Sequence, residues 1–319
     1  MRKLLLAVIL ITMLMYTPPA MAARDGIATG VYSGNIQENG RSEGNLEKYI
    51  ARYGEPYLTA DFKPWKWRGQ YVGFNARGYN QLLKENRGNR IHLTWEPDDT
   101  SRGGRCKAAW QNRDILAGKH DAYIRRFARD AARWGKPIHV RLGHEMNTDW
   151  FPWGVHCPGN TVGSYKRMFN HVVRIFNRQG AHNVRWVAAP HSRHTTEDQR
   201  TLNKFIPSGA DIAGYSYHNW GTVNGNQWTE LNGMLRRDYT ALARTGLPIE
   251  LSEGGTANAG GNEGKWIDRA RRDLKRYPKV RYMVYFSQSG DGAKWDLLTT
   301  RAKTHAWQRL LNDPYFQRG

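Results

Sequence analysis

Two glutamates stand where a pair of carboxyl groups could cleave an acetal bond. Glu145 ends the strand-like segment Ile138–Glu145, and Glu253 ends the strand-like segment Pro248–Glu253. Retaining hydrolysis of a glycosidic bond needs two carboxyl groups about 5–5.5 Å apart, one as nucleophile and one as general acid and base. Two neighbouring carboxyls also repel each other, which raises the pKa of one of them. The pair therefore offers the two protonation states that this chemistry requires.

The alternation of side chains along a strand indicates which groups share the interior. Glu253 is expected on the face of Leu251, so the pattern rejects Glu250, on the opposite face, as the nucleophile. Arg141 shares the face of Glu145 and could hold a carboxylate ionised by charge-assisted hydrogen bonds. A structural ion pair in the barrel core is an equally open interpretation of Arg141.

Tryptophan and histidine gather in the segments that follow predicted strands. The chain has 13 Trp in 319 residues, and many of them stand beside polar residues at these strand ends. The residues concerned are Trp65, Trp67, Trp95, His144, Trp150, Trp153, His191, His218, Trp220 and Trp295. Indole faces stack on sugar rings while polar groups bind hydroxyls, so the pattern favours a carbohydrate cleft. For any single Trp, a hydrophobic plug over the rim is an equally open interpretation.

The elements that must position these residues predict an α/β protein. The strand candidates are Ile27–Tyr32, Tyr57–Asp61, Arg90–Trp95, Ile138–Leu142, Val184–Ala188, Ile212–Tyr217, Pro248–Glu253 and Tyr282–Phe286. Helical patterns are found at Glu43–Arg52, Tyr79–Glu85, Asp121–Trp134, Ser164–Asn177, Gln227–Arg244, Glu263–Tyr277 and Lys303–Asn312. Strands that alternate with helices in this way are typical of a single (β/α)8 TIM barrel, whose chemistry lies at the C-terminal ends of the strands.

The N-terminus is expected to be an export signal and not part of the fold. Arg2 and Lys3 form a basic start, the apolar run Leu4–Met15 follows, and Ala20–Ala22 has the A-x-A pattern of a cleavage site. We therefore expect a signal peptide at residues 1–22 and a catalytic domain at 23–319. The apolar run is too short for a comfortable membrane span, so the mature protein is expected to be secreted or periplasmic.

The cysteine count and the motif search bear on disulfides, metals and cofactors. Cys106 and Cys157 are too few for a four-cysteine zinc site, and an oxidising compartment favours a disulfide between them over two free thiols. The chain has no H-E-x-x-H, C-x-x-C, phosphate-loop or dinucleotide motif. We expect no cofactor and no metal site.

The charge of the chain is strongly positive. Lys and Arg number 48 against 28 Asp and Glu, which gives a formal charge of +20. Most arginines fall in helical patterns, which indicates solvated outer faces. Nucleic acid is not expected as a partner, because the chain carries an export signal and no nucleic-acid motif. An acidic polysaccharide stays open, since strand-end loops also carry Arg102, Arg105, Arg193 and Arg200.

One segment resembles a known family closely. Arg141–Asn147, with the sequence Arg-Leu-Gly-His-Glu-Met-Asn, and the following Trp150–Gly154 resemble the acid/base segment of glycoside hydrolase family 26. That family contains β-mannanases, with some β-1,3-xylanases and mixed-linkage glucanases. Further similar segments are Thr94–Pro97, Asn183–Val187 with Pro190, Pro248–Glu253, and Tyr285–Phe286 with Trp295. The resemblance covers most of the chain after the signal, in the same order.

The resemblance implies roles for individual residues. It implies Glu145 as the acid/base and Glu253 as the nucleophile, with His144 and Trp150 shaping the subsite of the sugar under attack. Because His144 directly precedes Glu145, the strand must end or bulge there for both side chains to reach the sugar.

The chain departs from the family pattern near the nucleophile. Gly254 and Gly255 follow it where the family often has Phe. The family places a Tyr as hydrogen-bond donor to the nucleophile, and here either Tyr217 or His218 could hold that place. The interpretation favours Tyr217. The other expected substrate contacts are Trp95, Arg141, Trp220 and Trp295.

These inferences converge on a monomeric retaining endo-β-glycosidase that acts on a β-linked polysaccharide, mannan-type or related. Two alternatives stay open. The same chemistry could act on an acidic bacterial exopolysaccharide, or the barrel could bind carbohydrate without cleaving it. The presence of both Glu145 and Glu253 argues against an inactive barrel.

Overall fold

The computed structural model describes residues 26–85, 89–102, 104–192, 201–290 and 292–317, which form a closed barrel surrounded by helices. The barrel strands are β1 (Ile27–Tyr32), β2 (Leu58–Trp67), β3 (Arg90–Asp99), β4 (Ile138–Leu142), β5 (Val184–Ala188), β6 (Ile212–Asn219), β7 (Ile249–Thr256) and β8 (Val280–Phe286). Neighbouring strands are parallel, and β1 pairs with both β2 and β8, which closes the ring. The predicted (β/α)8 barrel is confirmed.

The strands follow the sequence pattern most closely where they are short and apolar. The bounds of β1, β4 and β5 agree with the prediction residue for residue. β2 and β3 continue past their predicted ends to Trp67 and Asp99, with Lys66 paired to Asp99. Asp is depleted in strands, so a pattern that contains Asp98 and Asp99 predicts an end that the structure does not have. Gln70–Tyr71 then turns back antiparallel onto β2.

Helices surround the barrel in the order that the sequence predicts. They are α1 (Leu46–Tyr53), α2 (Ala76–Glu85), α3 (Asn112–Leu116), α4 (Asp121–Trp134), α5 (Val162–Arg178), α6 (Leu231–Ala243), α7 (Glu263–Asp273) and α8 (Arg301–Asn312). The bounds of α4 agree with the prediction, whereas α3 was missed because five residues are too few to show a helical period. Within the described ranges, no helix has the length and apolar character that a membrane span requires.

The lower part of the barrel interior holds a buried polar cluster. The Glu250 carboxylate accepts hydrogen bonds from His92 Nε2 at 2.7 Å, from His139 Nδ1 at 2.7 Å and from Ser252 Oγ at 2.8 Å. These donors satisfy both carboxylate oxygens, and the Glu250 side chain has no exposed surface. The two imidazoles lower the pKa of Glu250 well below its usual range against the opposing effect of burial, so this carboxylate is ionised. Glu250 therefore stabilises the barrel core.

A bulge in β7 changes the side-chain alternation that the sequence suggested. The prediction placed Glu253 on the face of Leu251 and Glu250 on the opposite, outer face, and this prediction is wrong. Glu250 points into the barrel, and Leu251 packs in the main hydrophobic core. The pairing of β6 with β7 shifts by one residue, so that Tyr215 pairs with Leu251 but Ser216 pairs with Glu253. Because of this shift, Glu250 and Glu253 both reach the interior.

A disulfide joins two loops at the C-terminal end of the barrel. Cys106, after β3, is bonded to Cys157, after β4, which confirms the predicted pair. Beside it, the Arg105 guanidinium pairs with the Asp149 carboxylate, and Asp149 directly precedes Trp150. The disulfide and the ion pair tie together the two loops that border the Glu145 region.

Candidate active site

The backbone turns sharply at the end of β4 and brings two consecutive side chains to the same space. The strand ends at Leu142, and both Gly143 (φ 53°) and Glu145 (φ 52°) adopt the left-handed region. The Glu145 amide donates to the Ala189 carbonyl at 2.7 Å, which anchors the turn to the end of β5. β4 ends before His144, as the sequence required. His144 and Glu145 are therefore not forced onto opposite faces of a strand.

Glu145 lies in a largely buried pocket. Its carboxylate accepts a hydrogen bond from the Trp150 indole Nε1 at 3.1 Å. Burial, and secondly the negative charge of Glu253, raise the pKa of Glu145 above its usual value. This environment favours the protonated form, which is the form that a general acid needs.

Glu253, whose charge acts on Glu145, has the opposite electrostatic environment. The fully buried Arg141 donates from Nη2 to Glu253 Oε2, and it donates from Nε to Thr94 Oγ1 at 3.1 Å. Burial opposes the ionised form, but the charge of Arg141 outweighs it, with help from His218, and lowers the pKa of Glu253 to about 2. Arg141 therefore holds this carboxylate ionised, in the way that the sequence suggested as one of two interpretations.

His218, and not Tyr217, is the β6 side chain beside Glu253. His218 Nε2 lies 3.7 Å from Glu253 Oε1. The Tyr217 hydroxyl instead donates to the Val284 carbonyl at 2.8 Å, on the outer side of the strand. The preference for Tyr217 as the donor to the nucleophile is therefore wrong. Alternation along β6 explains this, because residue 218 faces the barrel interior and residue 217 faces the helices.

The two glycines after Glu253 are explained by close packing. A Cβ atom at Gly254 would lie 2.7 Å from the Tyr217 ring, and one at Gly255 would lie 2.8 Å from the Tyr285 ring. Real Cβ atoms do not approach neighbours so closely, so this part of β7 accepts only glycine in the present packing. The departure from the family pattern at these positions is thus coupled to the two tyrosines.

Aromatic rings border the pocket next to His218. The buried Trp295 stands edge-on to His218, with 5.2 Å between ring centroids, and edge-on to the half-buried Trp220 at 4.9 Å. Phe286 at the end of β8 lies 6.0 Å from His218. Trp220 and Trp295, both expected from the sequence, are therefore in the same pocket wall as His218.

His144 is packed into an aromatic cluster on the other side of Glu145. Its ring lies 4.6 Å from that of Phe151, and its carbonyl accepts a hydrogen bond from Trp153 Nε1 at 2.7 Å. Burial, and then the charge of Arg141, lower the pKa of His144 well below its usual value. His144 is therefore a neutral side chain held in a fixed orientation next to the two glutamates.

Trp95 does not belong to the pocket. Its indole is fully buried, stacks on Phe127 at 4.4 Å and donates from Nε1 to the Tyr123 hydroxyl at 3.2 Å. The expectation that Trp95 contacts substrate is wrong, because alternation along β3 turns it toward α4 while its neighbours Thr94 and Glu96 face the interior.

Glu96 is a site residue that the sequence reasoning did not select, and His191 was noted only as one of the polar and aromatic residues at the strand ends. Glu96 follows the inward-facing Thr94 by two positions, and burial raises its pKa to about 8, with Glu253 and Glu145 adding to this effect against Arg141. His191 follows β5, and its ring stands edge-on to Trp150 at 5.1 Å. The inward face of β3 would have indicated Glu96, whereas His191 lies in a loop that no periodicity describes.

The structure describes two of the four loop arginines that suggested an acidic substrate. Arg102 pairs with Asp99, and Arg105 pairs with Asp149. Arg193 and Arg200 lie outside the described residues, as does the predicted signal peptide at 1–22. The two described arginines thus have carboxylate partners within the protein itself.

Comparison with known proteins adds a second line of evidence. The profile of glycosyl hydrolase family 26 matches residues 117–236. Endoglucanase H of Acetivibrio thermocellus is 34% identical over 210 residues, which are 64% of this chain but only 22% of that protein. The chain therefore spans about a fifth of the length of this curated relative.

Solved structures share the fold at low sequence identity. A β-mannanase of family 26 from Bacteroides ovatus aligns with a TM-score of 0.68 at 17% identity, covering 92% of this chain and 91% of that one. A double mutant of the Cellulomonas fimi endo-β-1,4-mannanase aligns with a TM-score of 0.67 at 16% identity, covering 92% of this chain and 72% of that one. At such identities the likeness concerns the fold.

Proposed function

We propose that this chain is a retaining endo-β-glycosidase of glycosyl hydrolase family 26, whose profile it matches over residues 117–236, with Glu253 as the nucleophile and Glu145 as the acid/base. One observation carries the proposal. Glu145 is buried, the Glu253 side chain is only 13% exposed, and their surroundings push their pKa values in opposite directions. Arg141 keeps the Glu253 carboxylate ionised, while burial and the charge of Glu253 raise the pKa of Glu145 and so favour its protonated form. Opposite protonation states are what separate a nucleophile from a general acid.

The first chemical step forms a glycosyl-enzyme. The ionised Glu253 attacks the anomeric carbon while Glu145 gives its proton to the departing glycosidic oxygen. The Trp150 indole holds the Glu145 carboxyl in place from the side of the β4 loop. Arg141, anchored to Thr94, fixes the Glu253 carboxylate and is released in part from its charge pairing when the ester forms.

The second step returns the enzyme to its starting state. Glu145, now ionised, removes a proton from water, and the water attacks the anomeric carbon from the side that the leaving group vacated. Glu253 leaves as a carboxylate, and Arg141 stabilises the returning charge. Because each step inverts the anomeric carbon, the product keeps the β configuration.

The sugar under attack contacts residues on both sides of the two glutamates. We assign His144 and Trp150 to one side, and His218, Trp220 and Trp295 to the other. Neutral imidazoles and indole N–H groups bind sugar hydroxyls, and the indole faces cover the ring carbons.

The substrate class follows from the relatives. The curated relative is called an endoglucanase, and the similar structures are called mannanases. A β-linked glucan or mannan cleaved within the chain is therefore the substrate we propose. An acidic glycan has less support, because Arg102 and Arg105 already pair with Asp99 and Asp149.

We further propose that residues 1–22 direct export and that residues 23–319 are the catalytic domain, active as a monomer outside the cytoplasm and not on nucleic acid. The Cys106–Cys157 disulfide supports this, since disulfides persist in oxidising compartments.

A panel of defined glycans tests the proposal. The protein is incubated with β-mannan, mixed-linkage β-glucan, β-1,3-xylan and a uronate-containing glycan, and the products are read by mass. Proton NMR of the first product then gives its anomeric configuration. Internal cleavage of a neutral glycan with a β-configured first product is expected. An α-configured first product would exclude the covalent mechanism, and cleavage of the acidic glycan alone would reverse the choice of substrate.

A further inference from the structure

Three potential metal ligands converge at the mouth of the barrel. A carboxylate oxygen of Glu145 and one imidazole nitrogen each of His191 and His218 all lie within 4.8 Å of one another. The three residues come from the ends of β4, β5 and β6, which are neighbours in the barrel wall. The sequence contains no metal motif, so this set is formed only by the fold.

The surroundings hold each of the three residues in place. The Asn147 side chain donates to the His191 carbonyl at 2.9 Å and accepts from the His191 amide at 2.7 Å, which clamps the backbone of that histidine. Trp150 contacts both the His191 ring and the Glu145 carboxylate. His218 is held between Trp295 and Phe286. The entropy that three mobile side chains would lose on binding an ion has therefore largely been lost already.

The donor set selects a class of metal. Two imidazole nitrogens and one carboxylate oxygen suit Zn²⁺, Co²⁺, Ni²⁺ or Cu²⁺, whereas Mg²⁺ and Ca²⁺ require mainly oxygen ligands. Zn–N bonds of about 2.0–2.1 Å place tetrahedral ligand atoms about 3.3 Å apart. Side-chain rotations that move the ligand atoms by about 1 Å would therefore complete the site, with a fourth position open to water.

We propose that Glu145, His191 and His218 bind a divalent transition-metal ion and that the bound ion blocks the active site. Glu253, whose Oε1 lies 3.7 Å from His218 Nε2, supplies further negative charge next to the ion. Metal binding itself does not depend on the proposed enzymatic function. The block does depend on it, because an ion on Glu145 takes the place of the proton and of the departing sugar oxygen.

Zinc titration of untagged protein tests the site. The protein is stripped with a chelator, dialysed and titrated with ZnCl₂ in a calorimeter, with MgCl₂ as the control metal. One equivalent of Zn²⁺ and no Mg²⁺ should bind. H191Q and H218Q should each weaken Zn²⁺ binding at least ~10-fold. The matched control is H305Q, because His305 is exposed on α8 and should bind zinc no differently from the wild type.

The outcomes separate the proposal from its alternatives. Zinc binding that survives in both H191Q and H218Q, or that H305Q weakens equally, would overturn the site. If either Gln variant has an altered circular dichroism spectrum, the corresponding Asn variant replaces it. In the activity assay, Zn²⁺ should raise KM without changing kcat, and chelator should reverse this effect. Hydrolysis unaffected by saturating Zn²⁺ would overturn the block, whereas no hydrolysis under any condition would contradict the proposed function and leave the metal site standing.

Discussion

Glu250 and Glu253 lie three residues apart on the same strand, but they differ in how completely the protein binds and buries them. Glu250 has every carboxylate oxygen bound, by His92, His139 and Ser252, and its side chain has no exposed surface. Glu253 is held by Arg141, with His218 nearby, and 13% of its side chain is exposed. Both have lowered pKa values, so the charge state does not distinguish them.

The difference lies in what remains available to a ligand. A carboxylate whose two oxygens are both hydrogen-bonded and which has no exposed surface can stabilise a fold but cannot attack a carbon atom, because no ligand reaches it. A carboxylate that is held from one side and exposed on the other is fixed in place but can still react with a ligand. Burial and a shifted pKa therefore indicate a functional site only together with an unoccupied lone pair and access.

The strongest test of this contrast replaces Glu253, the proposed nucleophile. E253A should lower kcat by ~10⁴-fold or more on every glycan, because no other group can form the covalent intermediate. The matched variant E250Q should keep kcat within ~10-fold of the wild type when it is assayed at a temperature where it is folded, since Glu250 does not contact substrate. Equal losses in the two variants would remove the distinction drawn between them.

Replacing Glu145, the proposed acid/base, should lower the rate by an amount that depends on the leaving group. Replacing Glu253 should lower the rate regardless of the leaving group. E145A should lose ~10²–10⁴-fold in kcat/KM on a polysaccharide, because the departing sugar oxygen needs a proton. With an aryl glycoside whose leaving group is acidic, the same variant should lose far less in the first step. Rates on a series of aryl glycosides measure this, and a loss independent of the leaving group would contradict the assignment of Glu145.

The structural glutamate should dominate stability. E250Q removes the charge that His92 and His139 face in a buried cluster, so its free energy of unfolding should fall by ~3–5 kcal/mol. E253Q likewise takes a countercharge away from a buried partner, Arg141, so it should also be destabilised, but less than E250Q, because 13% of the Glu253 side chain is exposed and water can solvate part of the site. Urea unfolding at neutral pH, followed by circular dichroism, compares the two. A larger loss in E253Q would reverse the comparison.

Glu250 should also contribute to the pH dependence of stability. The pKa of Glu250 is lower in the folded protein than its usual 4.5, so the folded state binds fewer protons than the unfolded state below that pH. The stability that Glu250 contributes is thus present above about pH 4.5 and is lost as the pH falls, at up to ~1.4 kcal/mol per pH unit. Unfolding measured between pH 3 and 6 should show a steeper decline in the wild type than in E250Q, and parallel curves would contradict this.

Sequence reasoning predicted the barrel, the order of its strands and the disulfide, because these follow from periodicity and from compartment rules. It misplaced Glu250 because a one-residue bulge in β7 reverses the expected alternation, and a bulge leaves no mark in an apolar pattern. Trp95 was assigned to the pocket from its place at a strand end and Tyr217 from the resemblance to the family pattern, without regard to which face of the strand each occupies. Their alternation with Thr94 and His218 would have turned both outward.

The left-handed backbone at Glu145 implies a compromise between folding and catalysis. A residue with a Cβ atom costs ~1–2 kcal/mol in that conformation, so glycine at this position would favour folding more than glutamate does. E145G should accordingly be more stable than E145A by ~1 kcal/mol in urea unfolding, although neither can donate a proton. If selection acted on stability alone, Glu145 would be expected to be replaced early. Related barrels that have lost catalytic activity should therefore carry Gly or Asn at this position.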